Sequence, residues 1–414
     1  MLRKTWNDVT SRGIQVTITP TQQGETNMKI LFWRVNVMGE EGIEHAFHAM
    51  NIDLTIHKYN PESWDHDKNC IDMLAAYLSS TTFDCVFTLD FIPIISRVCE
   101  VYKVPYLSWV VDCPCFPLYS KTISNSVNRI FIFDYALYQK FYPKNPTGIF
   151  YQALGADVAT FDRFHPNRKE KQKFSCDISF VGSLYTEKCH YSDEELPLYL
   201  KGYFDGLIRS QLLIQGYNFL EDVLTPEICS EFRKHSGWNP LTEDYEEDVV
   251  GIIADTYLGT KVSEQDRIHT LNALAKNHSV HLYTKSDTST VPNVINKGTA
   301  SPSTEMPLVF KCSKINLNIT SKPIKTGLPL RIFDILGCGG FLITNFQSEL
   351  PEYFEDGVDL VVYDSIPDLI QKIDYYLEHD EERLQIARNG YEKVKNHYTL
   401  IHCLNQMIQT AWNL

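Results

Sequence analysis

From Met28 onward the chain alternates short apolar runs with longer stretches whose apolar residues recur at helical spacing. This is the pattern of a parallel sheet covered by helices on both faces. Residues 29–35, 54–58, 85–89, 106–111 and 129–133 predict five strands, with helices over 40–50, 69–79 and 93–102 between them. In such sheets ligands collect at the carboxyl ends of the strands. Those ends carry Asn36 with Met38-Gly39, then Asp90, then Asp112.

The alternation breaks over residues 151–174, which read as a crossover, and restarts with Asp177-Ile-Ser-Phe-Val-Gly-Ser, a strand running into a Gly-Ser turn. It pauses again over about 193–260, where aromatic and acidic residues predict a helical insertion, suited to a lid or a subunit contact. The acidic run 243–248 within it reads as a solvated face or loop. Beyond it the pattern predicts a helix over 264–277, a strand over 280–284, a helix over 305–311 and strands over 314–319, 341–344 and 359–363. Three amphipathic helices follow over 366–378, 380–397 and 400–412. The expected organisation is an unassigned extension (1–27), an N-terminal Rossmann-like domain (28–150), the crossover (151–174), a C-terminal domain (175–398) and a closing helix (399–414).

One stretch stands out, Lys325-Thr-Gly-Leu-Pro-Leu-Arg-Ile-Phe-Asp-Ile-Leu-Gly. Pro329 suits the first position of a helix, because the N–H it lacks would have no partner there. From Leu330 to Leu336 only Arg331 and Asp334 are polar, three apart and on one face. They either pair with each other or face a charged, hydroxylated ligand at the helix N-terminus. The strand before them places Asn316, Asn318 and Thr320 on one side by period-two alternation, with Lys322 and Lys325 beyond as partners for phosphate. The turn at Gly182-Ser183 lets backbone N–H groups approach an anion, though Gly-Ser also makes ordinary turns.

Composition narrows the classes. A chain of 414 residues, 43% hydrophobic and 22% charged, exceeds one compact core and predicts two domains. The formal charge of −14 argues against nucleic acid or an anionic membrane as the main partner. Eleven scattered cysteines without C-x-x-C pairs suggest reduced thiols and a cytoplasmic protein. We find no signal-peptide pattern and no run long enough to span a bilayer. Asp65-His66-Asp67 is formally a D-x-D, but it follows a polar stretch and is discounted as a metal site. H-E-x-x-H, G-x-S-x-G, a Walker loop and an early G-x-G-x-x-G are all missing, against metalloproteases, serine hydrolases, ATPases and dinucleotide oxidoreductases.

The chain resembles GT-B glycosyltransferases, and within them the spore-maturation CgeB-like group. The resemblance is carried by residues 313–320, Gly327-Leu-Pro-Leu-Arg-Ile-Phe-Asp334 and Gly339-Gly-Phe-Leu-Ile-Thr-Asn345, with weaker agreement at Trp109-Val-Val-Asp-Cys-Pro114 and 180–185. It implies two Rossmann-like domains facing across a cleft and transfer of a sugar from a nucleotide diphosphate, UDP ahead of other nucleotides, to a hydroxylated acceptor. It further implies donor contacts from Gly182, Ser183, Tyr283, Asn318, Thr320, Lys322, Arg331, Asp334, Gly339 and Thr344. Asp334 stands where these enzymes usually carry Glu for the ribose, one methylene longer. No metal or other cofactor is expected, so fixed dipoles and cations would neutralise the leaving diphosphate. The closing helix 400–412 would cross back to the first domain. For the general base of an inverting transfer the candidates are Asp112 and Asp90 at strand ends, then His45. A sugar-nucleotide epimerase or hydrolase on the same fold, and a non-catalytic nucleotide-binding partner protein, remain as alternatives. The insertion is the expected surface for any homo-oligomer.

Overall fold

Short runs such as Cys85–Leu89 and Tyr106–Val110 are buried along their whole length, as strands covered on both faces must be. The computed structural model describes residues 28–189, 191–192, 194–236, 244–245 and 248–412. The extension 1–27 and much of the acidic run 243–248 lie outside the described residues.

The first lobe is a six-stranded parallel sheet built from β1 (Lys29–Arg34), β2 (Asp53–Lys58), β3 (Cys85–Leu89), β4 (Tyr106–Val110), β5 (Asn128–Ile132) and β6 (Ile149–Tyr151), in the order β2-β1-β3-β4-β5-β6. The second contains β7 (Cys176–Val181), β8 (Val280–Tyr283), β9 (Ile295–Asn296), β10 (Ser313–Asn318), β11 (Leu342–Asn345) and β12 (Val361–Tyr363), ordered β12-β11-β10-β7-β8-β9 and again all parallel. Two Rossmann-like sheets flanked by helices, with a helical insertion in the second, form the GT-B architecture that the resemblance implies. Strand order reverses between β1 and β3 in the first sheet and between β7 and β10 in the second, which marks a ligand crevice in each.

The closing helices match their expected bounds at Ile366–Glu378, Asp380–His397 and Leu400–Trp412. Two strands were not foreseen. β6 is a three-residue edge strand and β9 has two exposed residues, too short for either to show a period. The helix expected over 264–277 begins at Thr260, continuous with a π-helical segment Ile253–Gly259.

The insertion buries Leu200, Phe204, Ile208, Leu220 and Phe232 in an apolar cluster of its own. It also reaches the first lobe. Tyr245 bridges to Ser120, stacks on Phe116 at 5.2 Å and donates its hydroxyl to Asp65 at 2.8 Å. Asp244 pairs with His66 and Arg97, and Asp248 with Lys140 at 2.7 Å. The described part of the acidic run is therefore a loop, one of the two readings expected, and it docks on the first lobe instead of forming a solvated face.

The lobes are joined by polar contacts. The buried Asp134 carboxylate, from the end of β5, accepts Leu137 N at 2.8 Å, which caps the helix Tyr135–Phe141. Its other oxygen accepts three successive backbone N–H groups of the second lobe: Lys325 at 2.7 Å, Thr326 at 2.9 Å and Gly327 at 3.0 Å. Glycine is required at 327, because a Cβ there would lie 2.8 Å from the Asp134 Cα. Elsewhere the crossover runs beside the closing helix: Ala156 N donates to Tyr398 O at 2.9 Å and Leu400 N to Ala156 O at 3.0 Å. That helix returns to the first lobe, where Arg129 Nε donates to Ala411 O at 3.2 Å.

Asp134→Ala leaves four backbone donors without their acceptor and is expected to cost about 3–5 kcal/mol. Denaturant titration checks this, with Asp134→Asn, which keeps an acceptor oxygen, falling between the two.

Candidate functional site

Between the lobes lies a cleft of about 480 Å³. Residues 36–43 after β1, together with Leu89, Trp109 and Val111 at the ends of β3 and β4, form its first wall. The opposite wall is Lys285 after β8, Ser301–Ser303, Met306, Leu330 and Asp334, and the crossover residues Leu154–Phe161 and Leu400 complete it. The first wall is thus the β1/β3 crevice that strand order marks out. Backbone at the strand ends is unusual: Asn36 after β1, Asp90 after β3 and Tyr185 after β7 all have positive φ, at 70°, 56° and 68°. Such conformations cost energy for non-glycine residues and collect where a loop must aim its groups.

Of the expected donor contacts, Asp334 lines the cleft. It sits in the second turn of the helix Leu330–Gly337, which Pro329 introduces and whose other side is core. Arg331 Nη1 lies 3.2 Å from the Asp334 carboxylate and against the Met306 sulfur, with the guanidinium over the Phe310 ring at 5.4 Å. The two charges therefore pair across one turn, and Arg331 points into the protein. Burial pushes the Asp334 carboxyl up to about 6; Arg331 opposes the shift and nearby Asp157 adds to it.

The other expected donor contacts do not line the cleft, and most have partners inside the protein. Asn318 Nδ2 donates to Thr320 Oγ1 at 3.0 Å and Thr344 Oγ1 at 2.9 Å, all three residues being buried. Asn316, on the same strand, joins Ser179 on β7 to the carbonyls of Phe310 and Phe341. These polar strand residues stitch neighbouring elements together, which the period-two pattern could not distinguish from ligand binding. Lys322 is buried against Gln215 at 2.7 Å and Asp266 at 3.5 Å, and burial lowers its pKa. Tyr283 is buried in the core, and Gly339 has φ 74° just past the C-terminal end of the Leu330–Gly337 helix, where glycine closes a helix. Gly182 and Ser183 do form the turn after β7, level with the loop after β8: Ser286 Oγ accepts Leu184 N at 2.7 Å and reaches Ser183 Oγ at 3.5 Å.

The base candidates separate as clearly. Asp90 is buried below the cleft, and its Oδ1 accepts the N–H groups of Val111 at 2.9 Å and Asp112 at 3.1 Å. It shapes the loop after β4 and is not among the residues that line the cleft. Asp112 is exposed on that loop, next to Val111 of the cleft wall. His45 does line the cleft. Its Nδ1 lies 3.5 Å from the Asp157 carboxylate and 3.3 Å from Thr160 Oγ1. Asp157 is itself held by accepting Thr160 N, the start of the short helix Val158–Phe161. Glu41, one helical turn before His45 and also exposed, is on the same wall.

Three residues of this region escaped the sequence reading. Lys285 is an exposed cation of the cleft with no ion-pair partner among the described residues; its place just after a strand pattern was the available signal. Asp157 sat in a crossover with no local motif. Arg267 spans the β7/β10 crevice, donating to Ser183 O at 2.6 Å and Ile319 O at 2.7 Å between the rings of Phe180 and Tyr185. Nothing in its own helix marks it.

Among the described residues no group of three His, Cys, Asp or Glu is placed to hold a metal ion. Within the D-x-D, Asp65 accepts the Tyr245 hydroxyl and Asp67 caps the helix Lys68–Ser80. No helix among the described residues is long and apolar enough to cross a membrane.

Residues 267–409 match a family model described as glycosyl transferase-like, which covers the later part of the second lobe. No curated protein gives a significant match. Among solved structures, HepE from Anabaena in complex with UDP and glucose aligns over 94% of this chain and all of its own, at 9% identity and TM-score 0.54. The DNA-modifying β-glucosyltransferase, solved with and without its substrate uridine diphosphoglucose, covers 94% of this chain and 100% of its own at 9% identity and TM-score 0.51. The N-terminal domain of trehalose-6-phosphate phosphatase from Candida albicans covers 95% and 98% at 11% identity and TM-score 0.52. At these identities the likeness shows the GT-B fold.

Burial pushes the Asp90 carboxyl up to about 7, the Asp112 charge adding to the shift and the two N–H bonds opposing it. A raised carboxyl pKa means the folded state holds the proton longer, so its contribution to stability is lost as pH rises through about 7. Asp90→Asn, which keeps an acceptor for both N–H groups, is expected to gain on the parent between pH 5 and pH 8, by about 2–4 kcal/mol at the upper end. Parallel denaturation curves at the two pH values measure it.

Proposed function

We propose that the protein is a glycosyltransferase that moves a sugar from a nucleotide diphosphate, UDP ahead of other nucleotides, to a hydroxylated acceptor. The observation that carries this is Asp334. It is a carboxylate on the cleft wall of the second lobe, in a helix whose N-terminal residue Leu330 also lines the cleft, opposite the strand ends of the first lobe. A ribose diol suits such a carboxylate, and a diphosphate suits the helix N-terminus and the free Lys285 ammonium. The family model over 267–409, and the UDP and UDP-glucose bound by similarly folded proteins, support the same reading. Within the class, the CgeB-like group is the one its residues 313–345 resemble.

Transfer needs a proton taken from the acceptor hydroxyl as its oxygen attacks the anomeric carbon and the nucleoside diphosphate departs. His45 is the group we assign. Its Nδ1 lies 3.5 Å from the Asp157 carboxylate, which orients the ring, and its Nε2 makes no hydrogen bond among the described residues. In this reading the leaving diphosphate is balanced by the Leu330–Gly337 helix dipole and Lys285, without a metal.

Binding and turnover measurements test the assignment. A thermal-shift screen of UDP-, GDP- and TDP-sugars should single out one donor, since a ligand of the folded state raises its stability. By calorimetry, Asp334→Ala should then weaken that donor at least about tenfold, equivalent to about 1.4 kcal/mol. Parental donor affinity should fall as pH drops through about 6, where Asp334 takes up its proton; Asp334→Asn should flatten that profile. His45→Ala should lower kcat about a hundredfold with donor affinity unchanged. Full turnover in His45→Ala would move the base to Asp112 or Glu41, and donor consumption without acceptor would favour a hydrolase.

A further inference from the structure

The insertion meets both lobes at one cluster of buried and half-buried charges. Lys140 of the first lobe lies 2.8 Å from Glu221 and 2.7 Å from Asp248. Lys325 of the second lobe contacts Glu221 and lies 3.8 Å from Asp255. Gly251 leaves room for the first of these lysines, because a Cβ there would come within 2.5 Å of the Lys140 ammonium. Asp134, which clasps the backbone N–H of Lys325, is a fourth carboxylate within electrostatic reach of Asp255. Four acids thus face two lysines. The other titratable neighbours, the Tyr119 phenol and the Cys113 thiol of the first lobe, are pushed up by burial and supply no further cation.

Asp255 is the least well paired of the four. It is 5% exposed, in the π-helical segment Ile253–Gly259. One of its oxygens has no hydrogen-bond partner among the described residues, and the Lys325 ammonium is too far away to donate to the other. An ionised carboxylate is costly in such a place, and a neutral one much less so. Burial accordingly pushes this carboxyl up to about 7; Glu221 and Asp134 add to the shift, and Lys325 and Lys140 oppose it. In water the same side chain returns to the ordinary carboxylate range. The docked insertion therefore holds a proton that an undocked one gives up.

We propose that this cluster is a pH-sensitive latch: proton uptake at Asp255 docks the insertion against the two lobes, and loss of that proton loosens it. A carboxyl raised in the docked state stabilises docking fully below its ordinary range, and the contribution is lost as pH rises through about 7. Lys325 links the latch to the Asp134 clasp, since its side chain belongs to one and its backbone to the other. The inference is independent of the chemistry in the cleft.

Hydrogen exchange of the full chain at pH 5 and pH 7, corrected for the intrinsic rate, tests it in peptides covering residues 219–224 and 248–259. Protection there should fall at least about tenfold at the higher pH, the change one pH unit of such linkage produces. Asp255→Asn, neutral at both values, should keep its pH 5 protection at pH 7. Glu221→Gln removes a charge that favours the proton on Asp255, so its fall should be smaller than the parent's; this variant carries the test if Asp255→Asn does not fold. Asp90 changes charge in the same range, but Asp255→Asn leaves it in place. A fall that persists in Asp255→Asn, or one as large as the parent's in Glu221→Gln, would overturn the proposal. So would equal protection of the parent at both pH values.

Discussion

The arrangement of the cleft depends on one carboxylate. Asp134 ends a strand of the first lobe and receives the N–H groups of residues 325–327 from the second, just ahead of Pro329. Three consecutive donors on one oxygen fix the loop, and Pro329 then fixes the start of the helix that follows. The direction of that helix, and with it the position of Asp334, is therefore set by a group on the opposite lobe. Glu349 repeats the device nearby, accepting Tyr135 N at 2.8 Å and the Tyr151 hydroxyl. The two lobes meet through hydrogen bonds whose geometry is directional, beside an apolar seam that is not.

The insertion adds a second tie on the same side. Lys140 of the first lobe contacts Glu221 and Asp248, and Lys325 of the second contacts Glu221 and Asp255. Three acids of one segment thus hold a lysine from each lobe. Buried ion pairs of this kind contribute little net stability, because desolvation offsets the attraction; what they fix is which groups meet. Asp255 shows the cost: burial pushes its carboxyl up to about 7, despite the neighbouring lysines. One of its oxygens has no hydrogen-bond partner among the described residues. The insertion thus acts as a strap between lobes.

The fold was legible because it rests on short-range regularities. Apolar runs bounded by turns gave the central strands, and the closing helices were bounded by Ser365, Asp380 and Leu400 where their periodicity changed. β6 and β9 were missed because two or three residues carry no period. The site was legible in part. Arg331 and Asp334 were visible as charges in an apolar helix, but whether they pair or face outward depends on Met306 and Phe310, which arrive from another element. Asn316, Asn318 and Thr320 read as ligand contacts because polar residues on a buried strand need partners; Asn318 finds them in Thr320 and Thr344, and Asn316 in Ser179 and two backbone carbonyls. Asp157 and Lys285 reach the cleft, and Arg267 the β7/β10 crevice, through tertiary placement; only Lys285, just after a strand pattern, had a local signal.

That placement also couples the two halves of the proposed chemistry. Asp157 faces His45 on one side and raises the pKa of Asp334 on the other. An ionised Asp334 is the better acceptor for a ribose diol, and the Asp157 charge opposes that ionisation. Taking the Asp157 charge away would ease the ionisation of Asp334 and at the same time remove the carboxylate that faces His45. In the proposed reaction one side chain therefore orients the base and bears on how readily the ribose contact ionises. The crossover between the lobes, which supplies Asp157, is thereby more than a connector: it brings the acceptor side and the donor side within electrostatic reach of one charge.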